Sequence, residues 1–200
     1  MARPSRWDEV VACAARNFRQ YGFAQASLEG IADELGMWKG SLYNYISTKE
    51  DLLVAVVKIP ADRLLEEVQH IAASEQTAEA KLKAVVQCHV DVLVDIYDFA
   101  AVYLHEVSGR NLDAEWRAID RKYVNLVIGI IREGVDEGAF HKDTNDRVAA
   151  MTLLGALNWL TRWWDPQGTL SPTILAEHVS NIVINGLAAS PPRAAMRPGR

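Results

Sequence analysis

Apolar residues recur every three or four positions along almost the whole chain. No sustained two-residue alternation bounded by hairpin turns interrupts them, which predicts an all-α fold. The first helix is expected from about Arg6 to Tyr21, with Val10, Ala14, Phe18 and Tyr21 on one face and Gly22 as its stop. A second follows Ser27, a suitable N-cap, and runs to Leu35, where Gly36 breaks the chain. A short third helix spans about Lys39 to Ile46. Ser47-Thr48-Lys49-Glu50 has the form of a capping box, with Ser47 as cap and Glu50 reaching back, and opens a fourth helix. Pro60 removes the bond to the Val56 carbonyl and is expected to kink or end that helix, the pattern resuming over Ala61 to Ala73.

Further along, Ser74 to Thr77 reads as a loop and cap before a helix from about Ala78 to Asp98, with a shorter one at about Phe99 to Val107. The next runs from about Asp113 to Glu137 and stops at Gly138; Asp143-Thr144-Asn145 caps another from Asp146 to Trp164. Asp165-Pro166-Gln167-Gly168 is a turn. Ser171-Pro172, a cap followed by proline at the first helical position, opens a last helix to about Leu187. The pattern amounts to about nine helices without an internal repeat. The Pro/Ala/Arg-rich end, Pro191 to Arg200, reads as a disordered tail.

Composition narrows the class. Of 200 residues, half are hydrophobic and 24% are charged, which suits one compact domain or two small ones. No apolar run approaches the ~20 residues that span a bilayer, and the first eight residues lack a signal peptide's apolar stretch, so a cytoplasmic protein with no membrane partner is expected. Cys13 and Cys88 make neither a disulfide framework nor a metal spacing. The net charge of −5 weighs against bulk attraction to nucleic acid. The first 55 residues do not reverse it: Arg3, Arg6, Arg16, Arg19, Lys39 and Lys49 face Asp8, Glu9, Glu29, Asp33, Glu34, Glu50 and Asp51. Any affinity for DNA has to come from a few well-placed groups.

Helix, glycine break and short helix make a helix-turn-helix arrangement, a weak signal by itself. The run Leu35-Gly36-Met37-Trp38-Lys39-Gly40-Ser41-Leu42-Tyr43-Asn44-Tyr45-Ile46-Ser47-Thr48-Lys49-Glu50-Asp51-Leu52-Leu53 is specific: it resembles the signature of the TetR family of bacterial repressors. Phe18, Gly22, Phe23, Ser27, Leu28, Ile31 and Ala32 also fall where that family keeps aromatic, Gly, Ser/Thr and apolar residues. The resemblance is close from about Val10 to Val54. It implies a three-helix DNA-binding domain over 1–53, a helical ligand-binding and dimerisation domain over 54–188, and a tail over 189–200. The DNA-contacting set is then Ser27, Leu28, Trp38, Lys39, Gly40, Ser41, Tyr43, Asn44, Tyr45 and Lys49. Small Gly40 and Ser41 permit close approach, and Lys39 can donate to guanine acceptors. By resemblance Tyr43 donates to a backbone phosphate, Lys49 binds another, and Tyr45 faces DNA. Amides near Ser27 offer a further phosphate site. Leu42 turns inward under helix 1. Trp38 stands where a small polar cap is usual, Tyr45 where His is common and Ile46 where Phe is common, while Gly30 leaves Ser27 without the acidic partner of a capping box. Two placements stay open for Trp38: against helix 1, or on a thymine methyl or sugar.

The resemblance further implies a ligand cavity in the middle helices and a dimer joined through the last two helices. Val148, Met151, Leu154, Leu157, Leu160 and Trp164 follow helical spacing. From Ile174 to Leu187 the apolar face is wider than a lone amphipathic helix needs. Symmetry implies a pseudo-palindromic double-stranded operator. Candidate contacts for a small-molecule effector are His89, Tyr103, Glu106, Trp116, Tyr123, Asn158, Trp159, Arg162 and Trp163, although aromatic residues at these spacings are more often core. The segment Trp159 to Ser171 resembles TetR-type regulators of fatty-acid and steroid catabolism that sense acyl-CoA thioesters. Arg110, Arg117, Arg121, Lys122 and Arg162 are then candidate phosphate partners, or solvated helix faces. His89, His105 and Glu106 have no spacing specific for a metal, and no cofactor, nucleophile–base set or Gly-rich phosphate loop is recognisable. The expectation is a repressor, not an enzyme, whose effector shifts the helix beginning at Lys49, with Pro60 absorbing the movement. The competing class is a helical adaptor or ligand-binding protein without DNA binding.

Overall fold

The computed structural model describes residues 5–97, 100 and 114–188, with backbone alone at Lys39 and 114–116. Among the described residues there are eight α-helices and no strand, apart from one bridge pairing Phe140 with Ala188. The short helix expected at Phe99 to Val107 and the tail lie outside the described residues.

α1 (Arg6–Gln25) begins at a capping box between Ser5 and Asp8 and buries Val10, Val11, Ala14 and Phe18. Gly22, with φ of +75°, breaks the helical backbone where the sequence places a stop. The chain turns there so that Phe23 meets Phe18 edge-on at 5.1 Å. α2 (Leu28–Glu34) is capped by Ser27, whose hydroxyl accepts from the Gly30 amide. At its end the Gly36 amide donates to Asp33 and the Met37 amide to Ala32, with Gly36 at φ +59°, a Schellman arrangement that satisfies two end carbonyls. α3 (Lys39–Leu42) is a single turn. The helix expected to reach Ile46 loosens into turns after Leu42, the Tyr45 amide bonding three residues back.

α4 (Lys49–Ala72) differs from expectation at its cap. Its cap is Thr48, not Ser47, and Asp51, not Glu50, is the returning carboxylate. One Asp51 oxygen accepts from the amides of both Ser47 and Thr48, at 3.1 and 2.9 Å. Pro60 does not end the helix, which continues for twelve residues beyond it to Ala72. The missing bond is outweighed by the burial of Val56 and Val57 before it and of Leu64, Leu65 and Val68 after it.

α5 (Ala78–Asp95) is capped by Thr77, α7 (Asp146–Trp159) by Asn145, and α8 (Pro172–Leu187) by Ser171 with proline in the first turn, as the sequence predicts. Between α5 and α7 lies α6 (Ala114–Asp136). The helix expected to run to Trp164 tightens at Leu160 into a 3₁₀ turn. Trp164 is buried beneath it and donates from its indole nitrogen to the Leu170 carbonyl.

One continuous apolar core joins these elements. α1 packs on α2 and α4, α4 on α5 and α6, α5 on α6 and α8, and α6 on α7. The almost fully buried Lys81 of α5 pairs with Glu133 of α6 at 2.6 Å. Beside it, the buried Phe140 ring occupies the space over Gly134, within 2.3 Å of where a Cβ there would sit. Gly134→Ala is therefore expected to lower the unfolding free energy by about 1–3 kcal/mol, read by urea denaturation. An unchanged midpoint contradicts the close packing.

Candidate nucleic-acid interface and effector region

The hairpin of α2 and α3 is oriented by its apolar residues. Leu42 and Ile46 are buried, and Leu42 is fully so, as expected for a residue tucked under α1. Their burial turns the intervening residues outward, so that Tyr43, Asn44 and Tyr45 are exposed. The Trp38 carbonyl accepts from the Ser41 amide at 2.8 Å and starts α3, while the Trp38 side chain is 86% exposed. It does not pack on α1, which removes one of its two expected placements. Among the described residues, its own chain neighbours and helix backbone apart, no atom lies within 4 Å of a Cβ built on Gly40. The Lys39 side chain is outside the described residues.

Two expected contacts take other roles. Leu28 is buried, so its side chain serves the core and does not reach DNA. Lys49 does not point to solvent: its ammonium donates to the carbonyls of Phe23, Ala24 and Ala26 at 2.6, 3.2 and 3.0 Å, and lies 4.5 Å from the Phe23 ring centre. Three donors meet three acceptors at the negative end of α1. Tyr45 stacks on Trp7 at 5.7 Å and 18°, so one face of its ring is held by α1.

The frame behind the hairpin is polar and was not legible in the sequence. Arg6 donates to the Leu35 carbonyl at the end of α2. Arg16 and the buried Asn17 both donate to Glu34, and these bonds hold the Glu34 carboxyl below the usual carboxylate range. Cys13 and Cys88 are pushed up to about 11 and 12 by burial and by neighbouring carboxylates, so both thiols stay protonated.

In the C-terminal part, three of the nine candidate effector residues come together. His89 of α5 is buried, and its Nδ1 lies 2.8 Å from the Tyr123 hydroxyl of α6. Burial pushes His89 down to about 4, opposed by hydrogen bonding to Asn158 of α7, and burial raises Tyr123. Both rings are neutral near pH 7 and form an uncharged polar group between helices. Three others lie elsewhere: Trp159 at the end of α7 and Arg162 and Trp163 beyond it are exposed, with the guanidinium 5.7 Å from the Trp159 ring. Tyr103, Glu106 and the Trp116 side chain lie outside the described residues, as do Arg110 and His105. Among the described residues no group of three or more His, Cys, Asp or Glu side chains is placed to hold a metal, and no helix is long and apolar enough to cross a membrane.

At the junction of α1, α4 and α5 is an apolar groove of about 250 Å³, lined in part by Val11, Ala15, Ile59 and Pro60. Asp95 closes its rim. Its carbonyl accepts from Arg19 of α1 at 2.7 Å and its carboxylate pairs with Arg63 of α4. Nothing in the local sequence around Arg19 signals a partner 76 residues away.

Residues 10–56 match the model of bacterial regulatory proteins of the tetR family, and residues 75–187 match the tetracyclin repressor-like C-terminal domain. The chain belongs to the TetR family. A TetR/AcrR-family transcriptional regulator from Thermobifida fusca has the same fold, with a TM-score of 0.75 and 31% identity over 90% of this chain and 97% of that one. The transcriptional repressor KstR2 of Rhodococcus jostii is 27% identical over 94% of this chain and 93% of its own length. FadR of Bacillus subtilis, solved in complex with stearoyl-CoA, matches with a TM-score of 0.74 and 23% identity over 91% of this chain and all of that one. As a TetR-family member the chain is a DNA-binding regulator, of a family of regulators and not of enzymes.

Within this TetR hairpin, Lys49 has a structural load independent of DNA. Lys49→Ala is expected to lower stability by about 1–3 kcal/mol in denaturant titrations without DNA, whereas a lysine acting only on phosphate leaves the midpoint unchanged. His89 gives a pH signature. Its folded value lies below the ordinary 6.5, so the unfolded state binds the extra proton. Its contribution is complete above 6.5 and is lost as pH falls toward about 4. His89→Gln should flatten the stability–pH slope in that window, and an unchanged slope contradicts the buried neutral ring.

Proposed function

We propose that the protein is a cytoplasmic homodimeric repressor that binds a pseudo-palindromic operator and is released by an acyl-CoA thioester. The observation that carries the DNA reading is the hairpin itself: Leu42 and Ile46 are anchored in the core and the side chains between them face outward, in a segment matched to the tetR-family model. Trp38, Gly40, Ser41, Tyr43, Asn44 and Tyr45 form the contacting set, with Lys39 between them and Ser27 at the start of α2. Lys49 supports the set from behind and reaches a phosphate only if it leaves the end of α1.

Dimerisation through the last two helices is supported by the large apolar side chains they leave in solvent. Val148 and Met151 of α7 and Ile174 and Ile182 of α8 are all exposed, which a self-complementary interface would cover. The division into a DNA-binding part over 1–53 and an effector and dimer part over 54–188 follows from this reading.

The effector class is supported by chemistry and by kinship. Among the described residues the interior of the C-terminal part is mostly apolar; Lys81 is neutralised by Glu133, and the neutral pair of His89 and Tyr123 is suited to a carbonyl and not to a charge. Exposed Arg117, Arg121 and Lys122 on α6, with Arg162 beyond α7, can meet the phosphates of a coenzyme that stays outside. Among proteins of this fold, AibR was solved with both isovaleryl coenzyme A and operator DNA.

A mobility-shift assay on DNA upstream of the coding sequence tests the reading. Binding should weaken with salt, and Tyr43→Phe should cost roughly fivefold, the worth of one hydrogen bond to phosphate. Stearoyl-CoA or a shorter acyl-CoA should release the complex. Absent or salt-independent binding contradicts the repressor and leaves the helical adaptor.

A further inference from the structure

We propose that Trp38 is the specificity-determining residue of the hairpin and that its indole packs on the C5 methyl group of a thymine in each operator half-site. The proposal rests on the repressor reading above and deepens it.

Trp38 is the most exposed large hydrophobic side chain among the described residues, at 86%. It is not surplus to a patch on an arbitrary face. Its own carbonyl accepts the Ser41 amide and so begins the turn that carries Gly40, Ser41 and Tyr43. The next aromatic residue of the hairpin shows what an intramolecular partner does: Tyr45 lies flat on Trp7 and is only half exposed. Trp38, a larger ring, stays in water. Its apolar area is covered only when something meets that surface, and the surface is continuous with the rest of the reading face. Gly40, two residues on, carries no side chain, and among the described residues beyond its chain neighbours and helix backbone no atom lies within 4 Å of its Cβ position.

The chemistry of the ring selects the base. An indole has one donor and no acceptor, and is otherwise apolar. In the major groove, guanine, adenine and cytosine present polar edge atoms, and thymine alone adds a methyl group. Laying the face of the indole on the edge of guanine, adenine or cytosine strips water from polar atoms that the ring face cannot bond, its one N–H pointing in the ring plane, whereas packing that face on the thymine methyl buries apolar surface on both sides.

The experiment uses the full chain. Duplexes are selected from a random pool with the unmodified protein, and each thymine of the selected site is replaced singly by uracil, which removes only the methyl. The proposal expects one thymine per half-site at which uracil weakens binding roughly fourfold, the worth of one buried methyl group. Trp38→Ser, a change at an exposed position that restores a small polar side chain before α3, should keep the unfolding temperature, bind thymine and uracil duplexes alike, and select sites relaxed at that position. A flat uracil scan with the unmodified protein overturns the proposal, as does an identical scan with Trp38→Ser. If Trp38→Ser weakens thymine and uracil duplexes equally, the indole contacts sugar or phosphate and the thymine assignment is wrong. Failure of the unmodified chain to select any duplex sinks the repressor reading itself, a separate and recognisable outcome.

Discussion

The burial of α4 is the constraint on which the other features depend. Its first half buries Leu52, Leu53, Val56 and Val57, its second half Leu64, Leu65 and Val68, and it packs on α1, α5 and α6. The helix-turn-helix hairpin and the C-terminal part therefore share one helix and one core, not two cores joined by a linker. The start of α4 is fixed to the end of α1 by Lys49, and its middle is tied through Arg63 to Asp95, which also holds Arg19 of α1. A displacement of α5 or α6 has to be absorbed by α4 or passed to α1. Pro60 lies within this stretch as part of a continuous helix.

Local signals were legible in the sequence because their physics is local. The caps at Ser27, Thr77, Asn145 and Ser171, and the left-handed glycines Gly22, Gly36 and Gly138, need only the residues beside them. Where two local solutions compete, sequence cannot rank them. Ser47-Thr48-Lys49-Glu50-Asp51 contains two overlapping capping boxes, and the one used, Thr48 with Asp51, is that which coexists with buried Leu52 and Leu53. Pro60, expected to kink or end α4, does not end it, for the converse reason: a local penalty is overridden by tertiary burial on either side.

The candidate sites divide in the same way. The outward face of the hairpin was readable from a motif, because burial of Leu42 and Ile46 dictates it. The second role of Lys49, the Trp7–Tyr45 stack and the Asp95 bridge depend on partners tens of residues away and leave no periodic trace. In the effector region, composition supplied aromatic and polar candidates but not their neighbours. Only the fold separates His89, Tyr123 and Asn158, which meet, from Trp159, Arg162 and Trp163, which stand at the surface. The overall charge of −5 also takes on meaning here. On the proposed reading, operator affinity then has to rest on fit and on the spacing of two hairpins, and spacing is what an effector can change.

The most direct measurement of that coupling is the distance between the two hairpins of the proposed dimer. Spin labels at the exposed position of Asp33→Cys, in a Cys88→Ser background, report it by pulsed electron resonance. On operator DNA the account predicts a single narrow distribution compatible with sites one duplex turn apart, roughly 34–36 Å. Adding stearoyl-CoA should shift that distribution as DNA is released. Release of DNA with an unchanged distance distribution would contradict transmission through α4.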